Sequence, residues 1–161
     1  MPILEILKYP DPMLKTVSEK ITEIDGPLIS FVNDLVETMK ASPGVGLAAP
    51  QAGRPVRVIA IDVTPKNPGA GLIVLINPEI VSASGGKVAR EGCLSVPEYT
   101  ANIKRAADVV VKGVNIDGKE LEISSTGLEA VALQHEIDHL DGILFIDRIA
   151  NMKRDLFKRR T

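Results

Sequence analysis

Apolar side chains recur at Leu28, Phe31, Val32, Leu35, Val36 and Met39, steps of three and four that lie on one stripe of a helix over 27–41. After it the period changes. Residues 56–62, 72–77, 87–92, 103–115 and 120–124 are short apolar or alternating runs bounded by Pro, Gly and Asn, and these read as strands. Asp117-Gly118, within Asn115-Ile116-Asp117-Gly118, is a strong turn signal and closes a hairpin between the last two runs. A helical period then returns. Leu128, Ala130, Val131, Ala132, Leu133, Ile137 and Leu140 spread apolar surface almost all round the cylinder, which belongs inside a core. Thr126-Gly127-Leu128-Glu129 has the form of a capping box at its start, and Gly142 stands where a left-handed C-terminal position is usual. One helix, a run of strands and a second helix, without β-α-β alternation, predict an α+β fold of mainly antiparallel sheets.

The buried helix carries chemistry. His135-Glu136-Ile137-Asp138-His139 holds the only two histidines of the chain, four residues apart. Residues at that spacing share a helix face, so both imidazoles reach one metal ion. Chance sets two residues four apart about once in eighty arrangements, before the glutamate is required. Glu136 is placed to touch a metal-bound water rather than the metal. A pair of surface histidines would explain the spacing, but in an apolar helix such groups need partners.

A third ligand has one strong candidate, the single cysteine Cys93 in Glu91-Gly92-Cys93-Leu94-Ser95-Val96-Pro97. A thiolate with two imidazoles suits Zn²⁺ or Fe²⁺ and suits Mg²⁺ or Ca²⁺ badly. No second cysteine or third histidine completes a structural site, so an open fourth position, the mark of a catalytic metal, is the simpler expectation; a carboxylate there is the alternative. Standing alone, Cys93 would read as a small buried hydrophobe. The third informative segment is Gly44-Val45-Gly46-Leu47-Ala48-Ala49-Pro50-Gln51, whose glycines allow close backbone approach. It lacks the Lys-Ser/Thr of a phosphate loop. By itself it is more often a turn, although Gln51 offers both a donor and an acceptor.

Composition narrows the field. The 161 residues fit one domain, expected over 1–150, with a basic helix or tail at 151–161. Hydrophobic residues make up 45 %, yet no run approaches the roughly 18 needed to cross a membrane as a helix. Met1-Pro2-Ile3-Leu4-Glu5 lacks the character of a secretory signal, and one cysteine fits a reducing cytoplasm. The balance of 19 basic and 21 acidic residues leaves no global nucleic-acid footprint. Five positive charges against one negative gather in 152–160, which a solvated tail would explain.

The three motifs, in this order and at this spacing, resemble peptide deformylase over roughly 7–148, and Ser95-Val96-Pro97 is similar to the type 1 bacterial form. The resemblance implies sheets wrapped around a central helix bearing His-Glu-x-x-His, with a C-terminal helix. It implies metal ligands Cys93, His135 and His139, with Fe²⁺ expected in the cell and Zn²⁺, Ni²⁺ or Co²⁺ in purified protein. Glu136 would be general base and then acid for an activated water, while Gln51 and the Leu94 N–H would stabilise the oxyanion. Val45, Gly46, Glu91, Gly92, Leu128, Val131 and Ala132 would bind the substrate, the last three as an apolar wall for methionine. The expected substrates are N-formylmethionyl nascent peptides, the expected products formate and a free amino terminus, and the expected state a monomer without membrane contact. The basic end becomes a candidate for docking on the ribosome. Thr100 departs from the pattern, because several type 1 members carry an arginine there. Competing expectations are a metalloprotease, a structural metal module that would leave Glu136 without a task, and a ribosome-binding protein resting on the basic tail alone.

Overall fold

A computed structural model describes residues 3–159. Helix α1 (Gly26–Lys40) starts where Asp25 accepts a hydrogen bond from the Leu28 amide at 2.9 Å. Strands β1 (Gly46–Ala48), β2 (Val58–Asp62), β3 (Leu72–Ser84), β6 (Asp108–Val114) and β7 (Glu120–Thr126) form one antiparallel sheet in the order β1-β2-β3-β6-β7. Strands β4 (Lys87–Cys93), β5 (Val96–Arg105) and β8 (Leu156–Lys158) form a second, also antiparallel. Helix α2 (Gly127–Leu140) carries the two histidines, and α3 (Met152–Asp155) is a single turn. Among the described residues no helix is long and apolar enough to cross a membrane.

Strand β2 shows why the core has two halves. Successive side chains of a strand point to opposite faces. Val58 and Ala60 therefore pack with Leu28, Phe31, Leu35 and Met39 of α1, while Ile59 and Ile61 pack with Ala130, Leu133, Ile137 and Leu140 of α2. The small sheet closes the other flank of α2 over Leu14, Cys93, Val96, Ile103, Leu144 and Phe145. Every residue from Ala130 to Leu140 is buried.

Three expectations need correction. The run 103–115 is not one strand: it breaks at Ala106-Ala107 and changes sheets, β5 ending before the break and β6 beginning after it. Gln134 of α2 holds that break, accepting from the Ala106 amide and donating to its carbonyl, both at 2.9 Å. The capping box does not form. Thr126 pairs with Asp108 as the last residue of β7, so its hydroxyl follows the sheet and donates to the Ala107 carbonyl at 3.4 Å. Glu129 instead accepts from the Ser125 hydroxyl at 2.7 Å. Strand β3 runs seven residues beyond the predicted 77, because β6 pairs with its polar half. The basic end begins as the expected short helix, α3 (Met152–Asp155). After that turn, Leu156–Lys158 pairs with Tyr99–Ala101 of β5; Arg160 and Thr161 of the predicted tail lie outside the described residues. Arg90, 3.7 Å over the Phe157 ring, explains the docking.

Candidate metal centre

Cys93 ends β4 at the two-residue turn Leu94-Ser95, where a register shift follows Gly92. The shift turns its sulfur toward α2. Sγ lies 3.4 Å from His139 Nε2, and the ligand atoms of Cys93, His135 and His139 all lie within 4.8 Å of one another. The two imidazoles meet edge to face with centroids 5.0 Å apart. One sulfur and two ring nitrogens converging this closely fit a borderline divalent cation.

The ligands are held from behind. His135 Nδ1 donates to Glu91 Oε1 at 2.9 Å, which leaves Nε2 for the centre. Arg105 grips the same carboxylate with two donors, Nε to Oε2 at 2.8 Å and Nη2 to Oε1 at 2.9 Å. Its third arm, Nη1, donates to Asp138 Oδ2 at 2.6 Å, and Arg148 completes Asp138 from the protein surface. Burial works against a charged Glu91, but the bonds from Arg105 and His135 hold its carboxyl below the ordinary range. Burial likewise opposes charge on His135, yet Glu136, Cys93 and Glu91 keep its proton well above the ordinary histidine range. A ring surrounded by that much negative charge is a place for a cation. Burial first, then His135 and Arg105, push His139 well below its ordinary value, so it presents a lone pair.

Glu136 projects beside the ligands. Burial, resisted by His135, pushes its carboxyl up to about 7. Its Oε1 is buried without a hydrogen-bond partner among the described residues, and Oε2 lies so near Gly46 that a Cβ there would come within 2.6 Å. Gln51 approaches from the other side: Oε1 accepts from the Ala48 amide at 2.9 Å, and Nε2 donates to Ser95 Oγ at 3.0 Å while standing 3.5 Å from Cys93 Sγ. Leu94 N–H follows the sulfur ligand by one residue in the turn.

These groups close one end of a cavity of about 480 Å³. Val45 and Gly46 line one side, Gly92 and Leu94 another, and Leu128, Val131 and Ala132 form an apolar wall on α2. Glu91 also lines it, but its carboxylate is engaged by His135 and Arg105, so only main chain remains for a substrate. Sequence reasoning missed Arg105, Arg148, Asp138 and Ser95. Asp138 had a signal, since it lies three residues from His135 on the same helix, and Ser95 stands two residues from Cys93 in the same segment; the two arginines come from segments whose meeting nothing local announces.

Two imidazoles and a carboxylate on one buried helix, faced by a cysteine sulfur at the end of an apolar-walled cavity, define a metal-dependent hydrolase. A polypeptide deformylase family model matches residues 3–155. The chain belongs to the peptide deformylase family, whose members hydrolyse a formyl amide. It is 52 % identical over 160 residues to the peptide deformylase of Thermodesulfovibrio yellowstonii, covering 99 % of this chain and 97 % of that one. The crystal structure of a peptide deformylase from Legionella pneumophila superposes with TM-score 0.88 at 43 % identity, over 95 % of this chain and 89 % of the other. That of Synechococcus elongatus, in complex with actinonin, gives TM-score 0.86 at 34 % identity, over 94 % and 81 %.

Proposed function

We propose that this chain removes the formyl group from N-formylmethionyl nascent polypeptides in the cytoplasm, with Cys93, His135 and His139 holding one divalent ion. The observation that carries the mechanism is Glu136, a buried carboxylate whose Oε1 has no hydrogen-bond partner among the described residues, between two imidazoles and beside a cavity. A divalent ion there supplies Lewis acidity, which brings the pKa of a water from about 15.7 toward 7. Glu136 accepts that water's proton, and a carboxyl poised near neutrality suits giving it back to the departing nitrogen. As oxygen joins the formyl carbon, charge gathers on the formyl oxygen, where Gln51 Nε2 and Leu94 N–H are the nearby donors. The C–N bond then breaks, leaving formate and a free α-amino group.

Leu128, Val131 and Ala132 offer the methionine side chain its apolar wall, and Val45, Gly46 and the main chain of Glu91 and Gly92 flank the peptide. A thiolate with two imidazoles supports Fe²⁺ in the cell and Zn²⁺, Ni²⁺ or Co²⁺ in purified protein; metal analysis of protein prepared without oxygen decides among them. The reaction is tested by incubating the metal-loaded enzyme with formyl-Met-Ala and following products by NMR. Formate and Met-Ala are expected. Cleavage of the Met–Ala bond would favour a peptidase instead.

A further inference from the structure

Four cations line the cavity, and they are not equivalent: Lys8, Lys66, Arg90 and Arg159. Arg90 is committed to structure, with Nε donating to Asn102 at 3.0 Å and its guanidinium over Phe157. Lys8 Nζ donates to the Ile6 carbonyl at 3.2 Å, and Lys66 stands exposed on the turn after β2. Arg159 differs from all three. Directly after β8, its main-chain N–H donates to the Glu98 carbonyl at 2.7 Å, which anchors the residue. Its guanidinium then folds back over Gly92. A Cβ on that glycine would collide with Nη2 and stand 3.7 Å from Cζ and 3.5 Å from the Thr100 methyl. Among the described residues the guanidinium makes no hydrogen bond or ion pair.

We propose that Arg159 binds the peptide downstream of the formylated residue, donating to its main-chain carbonyl oxygens; this rests on the deformylase reading of the same cavity. Gly92 and Arg159 line the same cavity as Cys93, so a peptide with its formyl group at Cys93 and its following residues along Gly92 passes beneath this guanidinium. Main-chain carbonyls are the acceptors every nascent chain offers whatever its side chains. A planar group with five donors matches them over a range of positions. The glycine at 92 lets the guanidinium lie against the strand, and β8 brings it there. Arg159 is thereby a specificity residue contributed by the C-terminal end of the chain.

The test compares formyl-Met amide with formyl-Met-Ala-Ser amide, both lacking a terminal carboxylate that would attract any cation. In Arg159→Ala, the ratio of kcat/KM for the longer over the shorter substrate should fall about tenfold, the scale of a charge-assisted hydrogen bond, through a higher KM for the longer substrate rather than a lower kcat. Metal content and melting temperature are measured alongside. If the alanine variant loses metal or melts early, Arg159→Gln carries the same expectation with the length of the side chain retained. A ratio within twofold of wild type in the folded variant overturns the role of Arg159, including the case where both substrates lose equally. Formate from neither substrate with the wild-type enzyme would overturn the reaction assignment itself, and this role with it.

Discussion

At the scale of single residues, the site depends on two side chains with different duties. Glu136 has no hydrogen-bond partner at Oε1 among the described residues, so its removal strands no donor there. Glu136→Ala should keep fold and metal while kcat falls by about 10²–10⁴, the usual contribution of an acid–base group. Near-normal turnover in a metal-loaded variant would refute the assignment. Cys93 acts through its sulfur. Cys93→Ser replaces a soft anionic ligand with a hydroxyl, so metal should leave faster during dialysis against a chelator, with circular dichroism little changed. Stoichiometric retention at wild-type affinity would make Cys93 a packing residue.

At the scale of elements, what matters is how β4, β5 and α2 are locked together. Arg105 of β5 bonds Glu91 of β4 and Asp138 of α2, with side-chain exposures of 3 %, 4 % and 11 %. A buried pair of this kind adds little over an apolar replacement of both partners, but losing one leaves the other charge stranded. Arg105→Met should therefore destabilise the fold by about 3–5 kcal/mol. Because Glu91 also orients His135, metal affinity should drop by about 10–100-fold. Chemical denaturation and metal titration read the two effects separately. A variant as stable as wild type with unchanged affinity would show that the network is dispensable.

At the scale of the whole molecule, the unevenly placed charge has become more specific than a tail. We propose that Lys153, Arg154 and Lys158, all exposed at one end of a chain of net charge −2, help dock the enzyme on the ribosome. Truncation at Met152 would be a poor probe, since it strips β8 from the small sheet and takes Arg159 from the cavity. Replacing the three cations by glutamate leaves the strand in place. Wild type should co-sediment with ribosomes and come off steeply as salt rises, because contacts to phosphate release counterions. The triple variant should bind more weakly at low salt; equal binding by the two proteins would discard the docking surface.

Sequence alone determined what is periodic or local. The stripe from Leu28 to Met39 is a helix because its spacing leaves one face to bury, and His135, Glu136 and His139 share a surface because four residues make one turn. Gly142 takes a φ of +73° at the end of α2, as its place after the last apolar position predicts. Tertiary structure decided whatever depends on two distant segments meeting. The break at Ala106 is held by Gln134, 28 residues away, and Thr126 loses its capping role to the pairing of β7 with β6. The same holds for the site's outer half. Arg105 in sequence is the second of two adjacent cations, Lys104-Arg105, and Arg159 one of several in a basic cluster. Their surroundings are set by strand register and sheet closure, long-range terms that no local pattern encodes.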